Sequence, residues 1–161
     1  MTQPYPNHPQ LRGNYAPLRM ECEMNDVIIS GEMPSDLDIS YYRNGPDPQF
    51  TPRGGYHWFA GDGMLHMFNI SGGNVSYRNR WVRTTKFEME REAGESLFSP
   101  MNPMESDERT QGVETNGLAN TNVVFHGGKL LALEEGHEPF ELDPTTLESI
   151  GPHNFDGKFN G

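Results

Sequence analysis

Tight-turn residues recur along this chain at intervals that leave room for short strands and little else. Asn44-Gly-Pro-Asp-Pro48, Ala60-Gly-Asp-Gly63, Ser71-Gly-Gly-Asn74, Gly127-Gly128, Gly136–Glu138 and Asp143-Pro-Thr-Thr146 each mark a reversal. Gly and Asn tolerate positive φ, and Pro presets the first turn position, so such clusters turn the chain within a few residues. The segments between them alternate with period two, the signature of strands. Met64, His66, Phe68 and Ile70 share one face of Met64–Ile70. Val75, Tyr77 and Trp81 share one face of Val75–Thr84, with Arg78 and Arg80 on the other. The 18 Gly and 13 Pro among 161 residues argue against long helices. One helix is expected within Lys86–Phe98, ending before Gly94. The fold class is all-β.

Along the chain, residues 1–25 are polar and Pro-rich and read as an extended lead-in. Val27–Gly31, Tyr41–Arg43 and Tyr56–Phe59 are strand candidates. Residues 99–117 form a loop long enough to suggest a rim or binding role, or a surface loop. The last third is the most regular. Asn120–His126, Lys129–Glu134, Pro139–Leu142 and Leu147–Ile150 make four short antiparallel strands, so residues 117–151 have the size and rhythm of one β-propeller blade. A second such unit is expected over residues 56–84. A propeller closes with roughly 4–8 blades. About two open blades would leave edges unpaired, and 154–161 supplies no capping element. The expected architecture is therefore part of a propeller, incomplete as a domain.

The formal charge of -11, from 12 basic and 23 acidic side chains, disfavours a nucleic-acid partner, which needs clustered Lys and Arg. Cys22 is the only cysteine, which excludes an internal disulfide and a cysteine-rich zinc site. No apolar secretory signal and no membrane-spanning run is present, so a cytoplasmic location is expected.

The six histidines, His8, His57, His66, His126, His137 and His153, include no His-x-Asp/Glu pair. The two-His-one-carboxylate iron pattern is thus absent. His57 and His66 flank a reversal and could face each other, although packed strand histidines are the commoner outcome. Glu134 and Glu135 end the apolar run Leu130–Leu133, and strand alternation would send them to opposite faces. Trp58 and Phe59 would by default be core aromatics.

Several phrases together carry a family signal. They are Gly13-Asn-Tyr-Ala-Pro17, Arg43-Asn-Gly-Pro-Asp-Pro48 and Tyr56-His-Trp-Phe-Ala-Gly-Asp-Gly-Met-Leu-His66. Ala119-Asn-Thr-Asn122, Gly128-Lys-Leu-Leu-Ala-Leu-Glu-Glu135 and Asn154-Phe-Asp-Gly-Lys158 complete the set. In this combination and order the sequence resembles the carotenoid oxygenases, which include carotenoid-cleaving and lignostilbene-type dioxygenases. The resemblance implies a seven-bladed propeller with an apolar substrate tunnel. It implies Fe(II) held on the axis by four histidines, and O2 inserted across a conjugated C=C bond to give two carbonyls. None of the six histidines matches a ligand position. The first ligand of the family would follow Gly161, so this chain alone is expected to bind no iron and to be inactive.

The resemblance assigns Glu135 as the carboxylate that hydrogen-bonds an iron-ligating histidine, a partner that orients the imidazole. Phe59 matches an aromatic lining the substrate cavity. Glu134 stands where stilbene cleavers resemble one another in carrying a lysine for the substrate phenol, and Ser99-Pro-Met-Asn102 lacks their tyrosine. The expected partners are therefore O2 and an apolar polyene, a carotenoid or apocarotenoid. A stilbene-like molecule or a non-catalytic truncated propeller fragment is the alternative. Membrane contact through an apolar tunnel mouth stays open.

Overall fold

In the computed structural model, which describes residues 4–159, the turn clusters join eight strands and one α-helix. One sheet has the order β1 (Cys22–Met24), β4 (Asn74–Trp81), β3 (Gly63–Ser71), β2 (Asp38–Pro46). The other runs in chain order: β5 (Asn122–His126), β6 (Lys129–Leu133), β7 (Phe140–Leu142), β8 (Ser149–Pro152). Every pairing is antiparallel. The all-β expectation agrees with this arrangement, whereas the second unit expected over residues 56–84 is instead a sheet drawn from β1–β4, across Cys22–Trp81. Two equally tight reversals, β3 to β4 and β5 to β6, use Gly72-Gly73 at φ +57° and +80° and Gly127-Gly128 at φ +58° and +81°. Two consecutive residues in the left-handed region are what a twisted two-residue hairpin requires, and only Gly takes both without strain.

The sheets pack on each other through Leu65, Met67 and Val82 from the first and Leu130, Ala132, Phe140, Leu142 and Leu147 from the second. On the opposite face of β3, Met64 joins Trp81 and Phe87 in a second cluster. Met64 and Leu65 are both fully buried, so the start of β3 is enclosed from two sides. That is why strict apolar–polar alternation fails there. The helix α1 (Thr85–Ala93) starts where Thr84 Oγ1 accepts the Phe87 N–H at 3.2 Å and stops at Gly94.

Beneath α1 lies a buried ionic network. Lys86 Nζ sits 2.7 Å from Asp62 Oδ1 and 2.7 Å from Glu90 Oε2, and all three side chains are nearly inaccessible. The remaining oxygens are occupied. Asp62 Oδ2 accepts the Gln49 N–H, and Glu90 Oε1 accepts the Leu97 and Phe98 N–H groups. Burial pulls the Lys86 pKa down, but the two carboxylates outweigh it and the net shift is upward. The network ties the connection 47–62, the helix and the loop after it into one body.

Five readings from sequence need correction. Residues 56–59 are not a strand; Trp58–Ala60 form a 3₁₀ turn in which His57 Nδ1 accepts the Phe59 N–H. Residues 27–31 form no strand; the Val27 N–H reaches Val75 O, while Ile28 is 96% exposed. The strand edge is made instead by β1, inside the lead-in. There Asn79 Oδ1 accepts the Cys22 N–H and Asn79 Nδ2 donates to Met20 O, a side-chain bridge invisible to periodicity. Asn44–Pro46 is not yet turn, since β2 runs on to pair Pro46 with Gly63. Trp58 and Phe59 are not core, being 36% and 66% exposed. Residues 160 and 161 of the terminal segment lie outside the described residues.

Two stability predictions arise here. Lys86→Met leaves two buried carboxylates without their cation and should cost about 3–5 kcal/mol in denaturant unfolding; a loss under 1 kcal/mol would contradict the role given to this network. Asp47 is the second test. Its Oδ2 accepts the Leu18 N–H at 2.8 Å, yet burial, and secondarily the nearby Asp62, raises its pKa to about 6. A carboxyl whose folded pKa lies above its unfolded value of 3.8 disfavours folding once ionised. The penalty is absent below that value and builds as pH rises through about 6. Asp47→Asn should therefore raise the melting temperature at pH 7.5 and change it little at pH 3.5; equal effects at both would refute the shift.

Candidate functional site

Where the two sheets meet, a recess of about 360 Å³ opens between the end of β2 and the start of β5. Phe59, Glu134 and Glu135, the three residues singled out in the sequence, all line it, beside Trp58, Asn120 and Thr121. β6 ends at Leu133 and the backbone bends through 135–137, so strict strand alternation does not extend to the two glutamates, and both residues border the recess. Glu135 is exposed and takes no protein hydrogen bond among the described residues.

The geometry is fixed by the segment 117–121. Gly63 N–H donates to Leu118 O at 2.9 Å, and Asn44 Nδ2 to Ala119 O at 2.8 Å. Asn120 Nδ2 then donates to Phe59 O and Gly61 O at 2.8 and 2.7 Å, holding the turn that presents Phe59. Glu134 secures the same segment from the other side. Its Oε2 accepts the Leu118 N–H and, at 3.0 Å, the Ala119 N–H, and its Oε1 pairs with His137 Nδ1. Gly117 permits this, since a Cβ there, at φ +77°, would collide with the Glu134 carboxylate.

Glu134 also borders a larger cavity, about 550 Å³, whose other walls come from residues of the segment 98–118, Lys86 and His137. Asn120, Asn44 and His137 were not identified as functional from sequence. The Glu134 to His137 spacing of three residues was the available signal for one of them.

Among the described residues no group of three or more His, Cys, Asp or Glu could hold a metal ion. His57 and His66 do not form a pair: His57 caps the Phe59 N–H, and His66 Nδ1 contacts the Tyr77 hydroxyl at 2.7 Å. Burial lowers the His66 pKa, with Arg43 adding to the effect. His137 and His153 are engaged by Glu134 and Glu141. The histidines present do not fit an iron centre.

Residues 15–161 match the family model of the retinal pigment epithelial membrane protein, RPE65. The chain is 42% identical to lignostilbene-alpha,beta-dioxygenase isozyme III of Sphingomonas paucimobilis, over 96% of this chain and 32% of that protein. It is 40% identical to the isoeugenol monooxygenase of Pseudomonas nitroreducens, over 94% of this chain and 32% of that protein. It is 37% identical to a probable chloroplastic carotenoid cleavage dioxygenase of Arabidopsis thaliana, over 92% and 28%. The crystal structure of Pseudomonas brassicacearum lignostilbene dioxygenase superposes with a TM-score of 0.90 at 38% identity, covering 98% of this chain and 33% of that one. A Glu-to-Gln mutant of Synechocystis apocarotenoid oxygenase gives 0.77 at 29% identity, covering 89% and 31%. The chain thus spans about a third of the length of the relatives it matches. No helix among the described residues is long and apolar enough to cross a membrane. The match over residues 15–161, with relatives named as oxygenases of stilbenes, isoeugenol and carotenoids, makes the chain a member of the carotenoid oxygenase family.

Proposed function

We propose that this chain is the N-terminal part of a non-haem Fe(II) dioxygenase that cleaves a conjugated C=C bond with O2 into two carbonyl products. On this reading its two sheets are two blades of a seven-bladed propeller, and the chain is inactive alone. The observation that carries the proposal is the convergence of Phe59, Glu134 and Glu135 on one recess at the sheet junction. An aromatic face opposite carboxylates suits a flat conjugated ligand with a polar end. Because the histidines present do not fit iron, no step is assigned to a metal here. The contribution of this chain is to line the substrate site and to offer Glu135, whose uncommitted carboxylate suits the support of a histidine supplied elsewhere.

Two substrate classes compete. A glutamate at position 134 disfavours a phenolate and leans toward a polyene. The similarity is graded the other way: 40–42% identity to the lignostilbene and isoeugenol enzymes against 37% to the carotenoid enzyme, and TM-scores of 0.90 against 0.77. Glu134 is moreover committed to Leu118, Ala119 and His137, so its charge is not free to repel a ligand. We therefore place an aryl-alkene of the stilbene or phenylpropanoid type first and an apocarotenoid second.

The test is turnover. A longer protein containing this sequence should convert a hydroxystilbene to two aldehydes under O2, while the 161-residue chain should show neither stoichiometric iron nor product. Turnover with bound iron by the short chain would overturn its assignment as an inactive part. In the longer protein, Glu135→Gln should lower turnover or iron retention about 10–100-fold, and unchanged values would reject its supporting role. Phe59→Ala should raise KM severalfold with little change in melting temperature, because the ring is 66% exposed. An unchanged KM would remove Phe59 from the site.

A further inference from the structure

The turn that presents Phe59 is held from two sides. Asn120 binds its carbonyls, Phe59 O and Gly61 O. The lead-in, which joins no sheet before Cys22 among the described residues, holds the other side. There the Trp58 N–H donates to Gln10 Oε1 at 3.2 Å. The Tyr15 ring meets the Trp58 indole edge-on, with centroids 5.1 Å apart and planes at 79°. Trp58 in turn lies nearly parallel to Phe59, at 6.1 Å and 20°. The three rings form a chain that runs from the lead-in to the recess. Trp58, its middle member, is also a partition: it lines both the recess and a smaller pocket of about 260 Å³ whose walls include Gln10, Asn14 and Tyr15. The lead-in is itself anchored, by Leu11, which is 4% exposed, and by the Leu18 N–H on Asp47 Oδ2.

A ring that is 66% exposed has no core packing to fix its rotamer, so Phe59 takes its orientation from the rings beside it, Trp58 and His57. His57 Nδ1 accepts the Phe59 N–H, so that ring belongs to the same turn and gives it no outside support. Trp58 does have outside support, and an edge-to-face pair contributes beyond its buried area. We infer that Tyr15 is a positioning residue of the recess: it sets the Trp58 indole, and through it the face of Phe59 on which a flat conjugated ligand rests. Tyr15 does not itself line the recess. Its hydroxyl has no partner among the described residues, so the ring alone performs this role. The inference rests on the recess reading above and deepens it: the aromatic wall of the site is set from the lead-in.

Two measurements test it, one of them independent of turnover. In the 161-residue chain, Tyr15→Ala should move the proton NMR signals of the Phe59 ring, and Tyr15→Phe should leave them in place. In the longer protein with a hydroxystilbene, Tyr15→Ala should raise KM about three- to tenfold, the worth of one aromatic pair. The kcat and the melting temperature should change little, since Tyr15 is 53% exposed, and Tyr15→Phe should restore KM. In a Phe59→Ala background, Tyr15→Ala should add nothing, because residues that act through one another are not additive. Phe59 signals that stay in place in Tyr15→Ala would overturn the inference. So would a KM that responds to Phe59→Ala and not to Tyr15→Ala, or one that Tyr15→Phe fails to restore. Phe59 signals that move while neither variant changes KM uphold the positioning of Phe59 by Tyr15 and contradict only the recess reading.

Discussion

Everything in the candidate site hangs on the backbone of Leu118–Asn120, which is gripped from both sheets. Gly63 and Asn44 hold it from the first sheet, and Glu134 and the Thr121 N–H to Leu133 O bond hold it from the second. The grip keeps Ala119 at φ +48°, buried at 2% exposure. A left-handed alanine costs about 1–2 kcal/mol, and several buried hydrogen bonds of about 0.5–1.5 kcal/mol each offset it. This strain sits at the point where the two sheets are joined and the recess begins, which is where over-determined backbone tends to be useful.

From that joint the site assembles in two directions. Asn120 reaches back to the 3₁₀ turn and presents Phe59 to solvent instead of core. Glu134 reaches forward and fixes His137, leaving Glu135 as the recess carboxylate with no partner among the described residues. The buried Lys86–Asp62–Glu90 network does the corresponding work behind the site. It keeps the connection 47–62 against α1, so the Phe59 turn has a rigid base. Recognition groups standing on such a base lose little freedom on binding, which favours affinity without extra contacts.

The parts legible in sequence were those governed by local chemistry. Gly72-Gly73 and Gly127-Gly128 announced their hairpins, and Gly94 marked the end of the helix, while its Thr84 cap lay in a run read as strand. Phe59, Glu134 and Glu135 were named from a family resemblance, and their shared recess is a tertiary fact that spacing could not supply. What stayed hidden depends on side chains reaching across the fold. Asn79 recruits Cys22–Met24 as an edge strand from a stretch with no strand pattern. Trp58 and Phe59 look like core by hydrophobicity, yet both stand exposed on a 3₁₀ turn that Asn120 bridges at Phe59 O and Gly61 O. The opposite-face reading of Glu134 and Glu135 assumed that β6 continued; it ends one residue too early for alternation to apply.

The claim on which the account rests is that one recess at the joint of the two sheets receives the substrate. The most direct test is a crystal structure of a longer protein containing this chain, with a hydroxystilbene bound. The account predicts an aryl ring against Phe59, the alkene running past Glu134 and Glu135, and residues 117–121 in the conformation described. A ligand seated elsewhere, or a rearranged 117–121 segment, would contradict it.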